Sequence, residues 1–356
     1  MSQGDGQGNR KAHKTGIVII TNFSLSMPII EQSSYPIPPF PLCCSHVQTI
    51  LPSYLRHVSI PDHWEREAFQ TPDDDELLLD WSRVGSDRLL VISHGLCGSS
   101  KRHYVLSLVH AFNRAGWDCL AWNFRGTGGS PGKKLKFTTH NSTEELDWVT
   151  RHALEVGGYR KVAFSGFSMG GNLSALYLTR EADRLPPEVC GGAVFCAVTD
   201  IRASNMTFHH GMGRLYVKNL LKDLVAMLQR KSEEFPGKLK VDGFEKFTTF
   251  EEFDDHFTAP YLGLADREEF YRLASSCYYF PRLTVPLLMV APRNDPFLAG
   301  DCYPVEEARR NPNLFFEMPA SGGHCGFITL SGEWWPARRA VEFLQNCMEA
   351  KPEPKN

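Results

Sequence analysis

Arg160-Lys161-Val162-Ala163-Phe164-Ser165, running into Gly166-Phe167-Ser168-Met169-Gly170-Gly171-Asn172, is the stretch that decides how this chain folds. Its first six residues read as a short, mostly apolar strand. From Met169 onward, Leu173, Leu176, Tyr177 and Leu178, with the small Ser174 and Ala175, read as a helix able to approach a sheet closely. Between them lies G-x-S-x-G. A serine hydroxyl is a poor nucleophile unless the backbone presents it, and flanking glycines let a strand turn sharply into a helix with Oγ exposed. A solvent serine in a Gly-rich turn is the bland alternative. The strand before and the helix after argue against it.

Outward from this turn, strand-like and helix-like patterns alternate, which predicts an α/β sheet. Upstream, Thr71-Pro72-Asp73-Asp74-Asp75 joins Trp64–Phe69 to Leu77–Trp81 as an antiparallel hairpin at a sheet edge. Leu89–Ile92 is wholly apolar and suits a buried central strand. Helical spacing follows over Lys101–Ala115, closed by Gly116, and a strand over Trp117–Phe124. Ser142 and Glu145 form an S-x-x-E capping-box pattern for a helix ending at Gly157-Gly158. After the elbow, Ala193–Val198 reads as another strand.

The alternation then stops. Residues 199–280 lack strand signals and contain an amphipathic stretch, Met212–Arg230, with Leu215, Tyr216, Leu220, Leu224 and Leu228 on one side. This segment is expected to be a helical cap over the carboxyl end of the sheet. Val285–Val290 and Leu314–Met318 resume the strands, with helices near Val305–Arg310 and Pro336–Met348. The expected fold is a mostly parallel, doubly wound sheet, whose ligands sit beyond the strands' carboxyl ends.

Composition narrows the function classes. The 356 residues carry 38 basic and 41 acidic side chains, a net charge of −3, which gives no global attraction to nucleic acid or acidic membranes. Ten cysteines are scattered without a C-x-x-C pair, so neither a zinc site nor a disulfide scaffold is indicated. That usage suits a reducing compartment, and a cytoplasmic location is expected, the alternative being a signal peptide over Gly16–Ile30, whose apolar run is short and lacks an A-x-A cleavage site. No run approaches the roughly 18–20 apolar residues of a transmembrane helix. Residues 1–26 read as a disordered leader or an over-extended start ahead of Met27, residues 27–350 as one domain with its cap, and residues 351–356 as a flexible tail.

A nucleophilic serine needs a base and an acid that orients it. With this elbow the order is Ser, then Asp or Glu, then His. Asn294-Asp295-Pro296 follows the strand ending near Val290, and Gly322-Gly323-His324-Cys325-Gly326 follows the strand ending near Met318. Ser168, Asp295 and His324 are therefore the candidate triad. His94 and His209-His210 are rival bases; Asp200 and Asp301 are rival acids, although Asp200 equally suits a helix N-cap. The backbone N–H groups of Leu96, in the loop Ser93–Ser100, and of Met169 are the candidate oxyanion donors. Asn123–Ser130 resembles a glycine-rich nucleotide loop, yet lacks the partner acid or lysine, and reads as a structural turn. His57–Asp62 fits an H-x4-D pattern far from the elbow.

Taken together, His46-Val47-Gln48-Thr49-Ile50, His94-Gly95-Leu96, Asn123-Phe124-Arg125-Gly126, the elbow, Asn294-Asp295-Pro296 and Gly323–Phe327 resemble the YheT-type branch of the α/β-hydrolases over residues 40–347. The resemblance implies an α/β-hydrolase fold and serine carboxylesterase or acylglycerol-lipase-like activity, with Ser168, Asp295 and His324 as the triad. It also favours Met27 as the conventional start. Departures are Cys44-Ser45 where an Asn-Pro pair is common, Val47 for Leu, and Cys97 after His94-Gly95-Leu96. They bear on the acyl pocket's shape, and Cys97 is expected to confer sensitivity to thiol reagents.

The expected reaction is a two-step acyl transfer on a small-molecule ester, short- to medium-chain or monoacylglycerol-like, with no cofactor and no metal. Met206, Phe208, Met212 and Tyr216 of the cap suggest an apolar acyl group. Two other readings share the scaffold. An acyltransferase would use the same triad while excluding water, and a noncatalytic lipid-binding homologue would bind without turnover.

Overall fold

The computed structural model describes residues 28–130 and 132–349, so the expectations for 1–26 and 351–356 lie outside the described residues. In chain order the elements are β1 (Ile29–Ile30), α1 (Ser45–Leu55), β2 (Trp64–Gln70), β3 (Glu76–Ser82), β4 (Arg88–Ser93), α2 (His103–Arg114), β5 (Asp118–Trp122) and α3 (Thr143–Gly157). Then come β6 (Lys161–Phe167), α4 (Met169–Arg180), β7 (Val189–Phe195), α5 (Ile201–Thr207), α6 (Gly213–Glu234) and α7 (Phe250–Phe253). The chain closes with α8 (Ala259–Tyr261), α9 (Arg267–Ala274), β8 (Leu287–Val290), α10 (Val305–Arg310), β9 (Leu314–Glu317) and α11 (Trp335–Glu349).

The strands form one sheet in the order β1-β9-β8-β7-β6-β4-β5-β3-β2. All neighbouring pairs are parallel except β2–β3 and β3–β5, so β3 alone is reversed. The expected edge hairpin is β2–β3. Strands β5, β8 and β9 are buried at every residue, β4 and β6 at all but the first; helices on both faces explain such unbroken apolar runs. Strand order reverses around β4, where β5 lies on one side and β6 on the other. A crevice at the carboxyl ends of β4 and β6 is thus where the topology opens a binding site.

Helix α4 is buried from Met169 to Thr179, which a helix tolerates only when its partners come close on all sides. Gly166 and Gly170 make that possible. A Cβ on Gly166 would stand 2.3 Å from the Gly170 carbonyl oxygen, and one on Gly170 would stand 2.2 Å from the His94 carbonyl oxygen. Asn172 ties α4 to the end of the cap, donating to the Ala274 carbonyl at 2.8 Å and accepting from the Ser276 N–H at 3.1 Å.

The inserted helical stretch lies between β7 and β8 and comprises α5 through α9. Three local expectations change. Ser142 precedes α3 but makes no capping bond to it; its Oγ accepts from the Thr139 N–H at 2.9 Å, while Glu145 is held by Arg125 and Thr138. The capping box forms instead at Thr249 and Glu252, at the start of α7. The seventh strand begins at Val189 and ends at Phe195, several residues before its apolar signal suggests. Segment 28–55, to which sequence patterns assign no element, supplies β1 and α1.

At the sheet's far side a buried ion pair joins β9 to α11. Arg339 Nε donates to Glu317 Oε2 at 2.7 Å, and Ser33 Oγ donates to Glu317 Oε1 at 2.6 Å. Both charged side chains are almost wholly excluded from water. Removing one partner strands the other charge, which costs about 3–5 kcal/mol. Glu317→Ala is accordingly expected to lower the denaturant midpoint by that equivalent. An unchanged midpoint would show that the pair contributes nothing.

No helix among the described residues is long and apolar enough to cross a membrane.

Candidate active site

Ser168 stands between β6 and α4 with φ 54° and ψ −122°. A non-glycine residue in that region is strained by about 1–3 kcal/mol and stays there only when its surroundings hold it. They do: the Ser168 N–H donates to the Phe195 carbonyl at 3.1 Å, and its own carbonyl accepts from Asn172 N–H at 3.0 Å. The side chain is left at the edge of a cavity of about 680 Å³.

Asp295 follows β8 and is buried; its Oδ1 accepts from the Phe297 N–H at 2.9 Å. His324 follows β9. Its Nδ1 lies 3.0 Å from Asp295 Oδ2 and 3.1 Å from Oδ1. A carboxylate can only accept, so Nδ1 carries the proton and Nε2 is left to act as a base. The ring stacks on Phe297, with centroids 4.1 Å apart. Burial is the largest single influence and disfavours the imidazolium, but the Asp295 carboxylate and the Cys325 thiol beside it together outweigh burial and raise its pKa well above the ordinary value.

Ser168 and His324 open onto the same cavity, together with Gly95, Leu96 and Met169. Ser168 Oγ makes no hydrogen bond to His324 in this arrangement; such contacts tighten in substrate complexes. Met169 opens α4, so its N–H has no intrahelical acceptor. Leu96 sits in a turn closed by Gly98 N–H donating to the Gly95 carbonyl at 3.0 Å, with Cys97 at φ 51°. Among the described residues neither amide donates to a protein acceptor.

The comparisons with known proteins bear on this geometry. Residues 88–329 match the family model described as the alpha/beta hydrolase fold. A protein of Escherichia coli (strain K12) bearing the name "Putative esterase YheT" is 31% identical over 86% of this chain and 92% of its own length. The chain belongs to the α/β-hydrolase family, in the branch that includes YheT. Phospholipase ABHD3 of Mus musculus is 26% identical, over 92% of this chain and 82% of its own. The solved Pyrococcus furiosus esterase Pf2001 shares the fold, with a TM-score of 0.52 and 18% identity across 80% of this chain and 91% of its own.

In this α/β-hydrolase the rival residues are occupied elsewhere or lie exposed at the surface. His94 is fully buried; Nε2 accepts from the Phe124 N–H at 3.1 Å, so Nδ1 carries the proton and donates to the Gly95 carbonyl at 2.8 Å. Burial lowers its pKa to about 4, keeping it neutral. Asp200 is an N-cap, its Oδ1 accepting from the Ala203 N–H at 2.9 Å. Asp301 is exposed, and His209 pairs with Glu251 at 2.9 Å. His57 and Asp62 lie exposed and away from the cavity. Asn123 serves the fold as expected of a structural turn, donating to Asp80 at 2.9 Å and accepting from the Ser100 N–H at 3.0 Å. Cys97 fits its expected role poorly: burial pushes its thiol up to about 12, so little thiolate is present at neutral pH.

Sequence patterns alone miss the support beneath His324. Thr49 Oγ1 of α1 accepts from the His324 N–H at 2.9 Å, and Asn294 Oδ1 accepts from the Gly323 N–H at 3.0 Å. Gln48, fully buried, donates to Ser321 Oγ at 2.7 Å. Gly326 is needed for this contact, since a Cβ there would lie 1.8 Å from the Gln48 carbonyl oxygen. The signal for it in the sequence is that Gln48 and Thr49 fall in His46–Ile50, one of the segments that carry the resemblance.

The cavity wall is mostly apolar, formed by Phe208, Leu220, Leu224, Leu228 and Phe297 among others. Phe208, Met212 and Tyr216 line it as expected, but Met206 does not; it is 56% exposed on α5. Met212, just before α6, and Leu215 on α6 are partly exposed while lining the cavity, so the apolar stripe of α6 faces it rather than only core. A polar group also lines the cavity: His140, Asn205, Asp254 and Thr258. Asp254 is buried, which raises its pKa to about 7 even though Thr258 and Tyr271 donate hydrogen bonds to it.

The His324–Asp295 pair gives a pH prediction. Only unprotonated Nε2 can accept the serine proton, and the carboxylate raises the pKa, so activity should rise with pH to an inflection above 6.5, the ordinary imidazole value. Asp295→Asn removes the charge. Its inflection should move to lower pH and kcat should fall by roughly 10³–10⁴-fold. An unmoved inflection would separate Asp295 from His324.

Proposed function

We propose that this chain is a serine carboxylesterase that cleaves esters of apolar acyl chains through an acyl-enzyme. Ser168 Oγ attacks the ester carbonyl while His324 Nε2 takes its proton. The N–H groups of Leu96 and Met169 bind the oxyanion, each such donor being worth roughly 2.7–4 kcal/mol in the transition state. His324 returns the proton to the leaving alcohol, then activates water to release the acid, and Asp295 holds the imidazolium. None of these steps calls on a cofactor.

The observation that carries this reading is the strained Ser168 at the rim of one cavity that also holds His324, itself paired with a buried Asp295. Support for an acyl ester comes from the cavity, whose volume lies within the roughly 300–1,000 Å³ range of small-molecule sites and whose wall is mainly apolar. The names esterase and phospholipase carried by two relatives agree with it. The polar group around Asp254 suits an alcohol portion bearing hydroxyls, as in a monoacylglycerol.

A panel of acyl esters from acetate to long chains tests the proposal. Medium-chain esters should be cleaved with a higher kcat/KM than acetate. Leu220→Trp, which fills part of the cavity, should depress the longer substrates roughly 10-fold or more relative to the shortest. A parallel fall along the panel would remove the acyl group from this cavity. Ester products with added alcohols, instead of free acid, would identify a transferase; tight lipid binding without turnover would identify a noncatalytic homologue.

A further inference from the structure

Beside the candidate base stand two thiols that the proposed reaction does not use. Cys196 follows β7 and is fully buried, and Cys325 follows His324 and lines the cavity. Their sulfurs and a ring nitrogen of His324 all lie within 4.8 Å of one another. Cys325 N–H also donates to Cys196 Sγ at 3.2 Å, which holds the two residues in register. Both have positive φ, 50° and 64°, a conformation that non-glycine residues keep only when their surroundings impose it.

We propose that Cys196, His324 and Cys325 form a binding site for a thiophilic divalent cation, Zn²⁺ in the first instance, and that its occupancy reversibly inhibits the enzyme. Two thiolates and an imidazole are the ligand types that zinc selects. Zn–S and Zn–N bonds of about 2.3 and 2.0–2.1 Å put tetrahedral ligands roughly 3.5–3.8 Å apart, so closure by about 1 Å brings the three donors to that spacing and leaves the fourth position to water. Because His324 Nδ1 already donates to Asp295, Nε2 is the nitrogen that remains for the ion. A ligating histidine whose other nitrogen is held by a carboxylate is the usual arrangement at zinc sites.

Binding converts two thiols to thiolates and releases two protons, with no change of oxidation state. The ion reaches the site from the cavity side, which Cys325 and His324 line. Once there it occupies the lone pair that would accept the Ser168 proton, so hydrolysis stops until the ion leaves. This inhibition rests on the reading of His324 as the base; the binding itself does not.

The test separates the two. Purified Ser168→Ala protein, kept reduced with a phosphine so that no Cys196–Cys325 disulfide forms, is titrated with Zn²⁺ against a chromogenic chelator. One tight equivalent per chain is expected, and Co²⁺ in its place should give a thiolate-to-metal charge-transfer band. Cys196→Ala and Cys325→Ser, each tested for cooperative unfolding, should weaken that equivalent by at least roughly 10–100-fold, while Cys97→Ser should not. In the wild-type chain Zn²⁺ should abolish esterase activity, with full recovery on adding EDTA. No tight equivalent, or one indifferent to both Cys196→Ala and Cys325→Ser, would overturn the site. Tight, cysteine-dependent binding with undiminished activity would uphold the site and overturn the role of His324 as base.

Discussion

Ser168→Ala is expected to lower kcat/KM for acyl esters by roughly 10⁴–10⁶-fold, since removal of a triad nucleophile leaves only binding and oxyanion stabilisation. Stability should change little. Ser168 Oγ makes no assigned hydrogen bond, and alanine inherits the same strained backbone, so a surface-like change within about 0.5 kcal/mol is expected. The comparison is between kinetics on a chromogenic ester and a denaturant curve for each protein. Activity within 100-fold of wild type would mean that another group performs the attack. Because the fold is left intact, such a result would refute the chemistry without touching the family assignment.

Gly170→Ala is expected to damage both stability and catalysis. The added methyl would stand 2.2 Å from the His94 carbonyl oxygen and 2.4 Å from that of Ser93, both rigid backbone at the end of β4. Either α4 retreats, taking Ser168 with it, or the loop carrying Leu96 does. Overpacking of this kind costs about 1–3 kcal/mol, and a misplacement near 1 Å costs about 10²-fold in rate. The soluble fraction of this variant should therefore unfold at lower denaturant and turn over at least 10²-fold more slowly. Wild-type kcat and midpoint together would contradict the close contact between the elbow helix and β4.

The elbow was legible because its cause is local: glycines on either side of a serine, a strand before and a helix after. Chain order likewise pointed to Asp295 and His324, which the fold brings within 3.0 Å of each other. What sequence left open was decided by distant partners. By sequence His94 is a rival base; its burial and the bond from the Phe124 N–H make it a neutral structural group. Glu145 had the spacing of a capping residue, but Arg125 claims it from another loop. Segment 28–55 has little periodicity and a proline, Pro52, inside α1, so nothing local announces its role; Gln48 and Thr49 gain theirs only when β9 delivers the His324 loop beside them. The pairing of Cys196 with Cys325 spans 129 residues and has no signature in the spacing of the cysteines.

The most direct test of Ser168 as nucleophile is covalent capture. Incubation with a fluorophosphonate, followed by intact mass and peptide mapping, should yield one adduct per chain on the peptide containing Ser168, at a rate that rises as His324 loses its proton. Ser168→Ala should take up none. An adduct on any other residue, or labelling that persists in Ser168→Ala, would contradict the assignment.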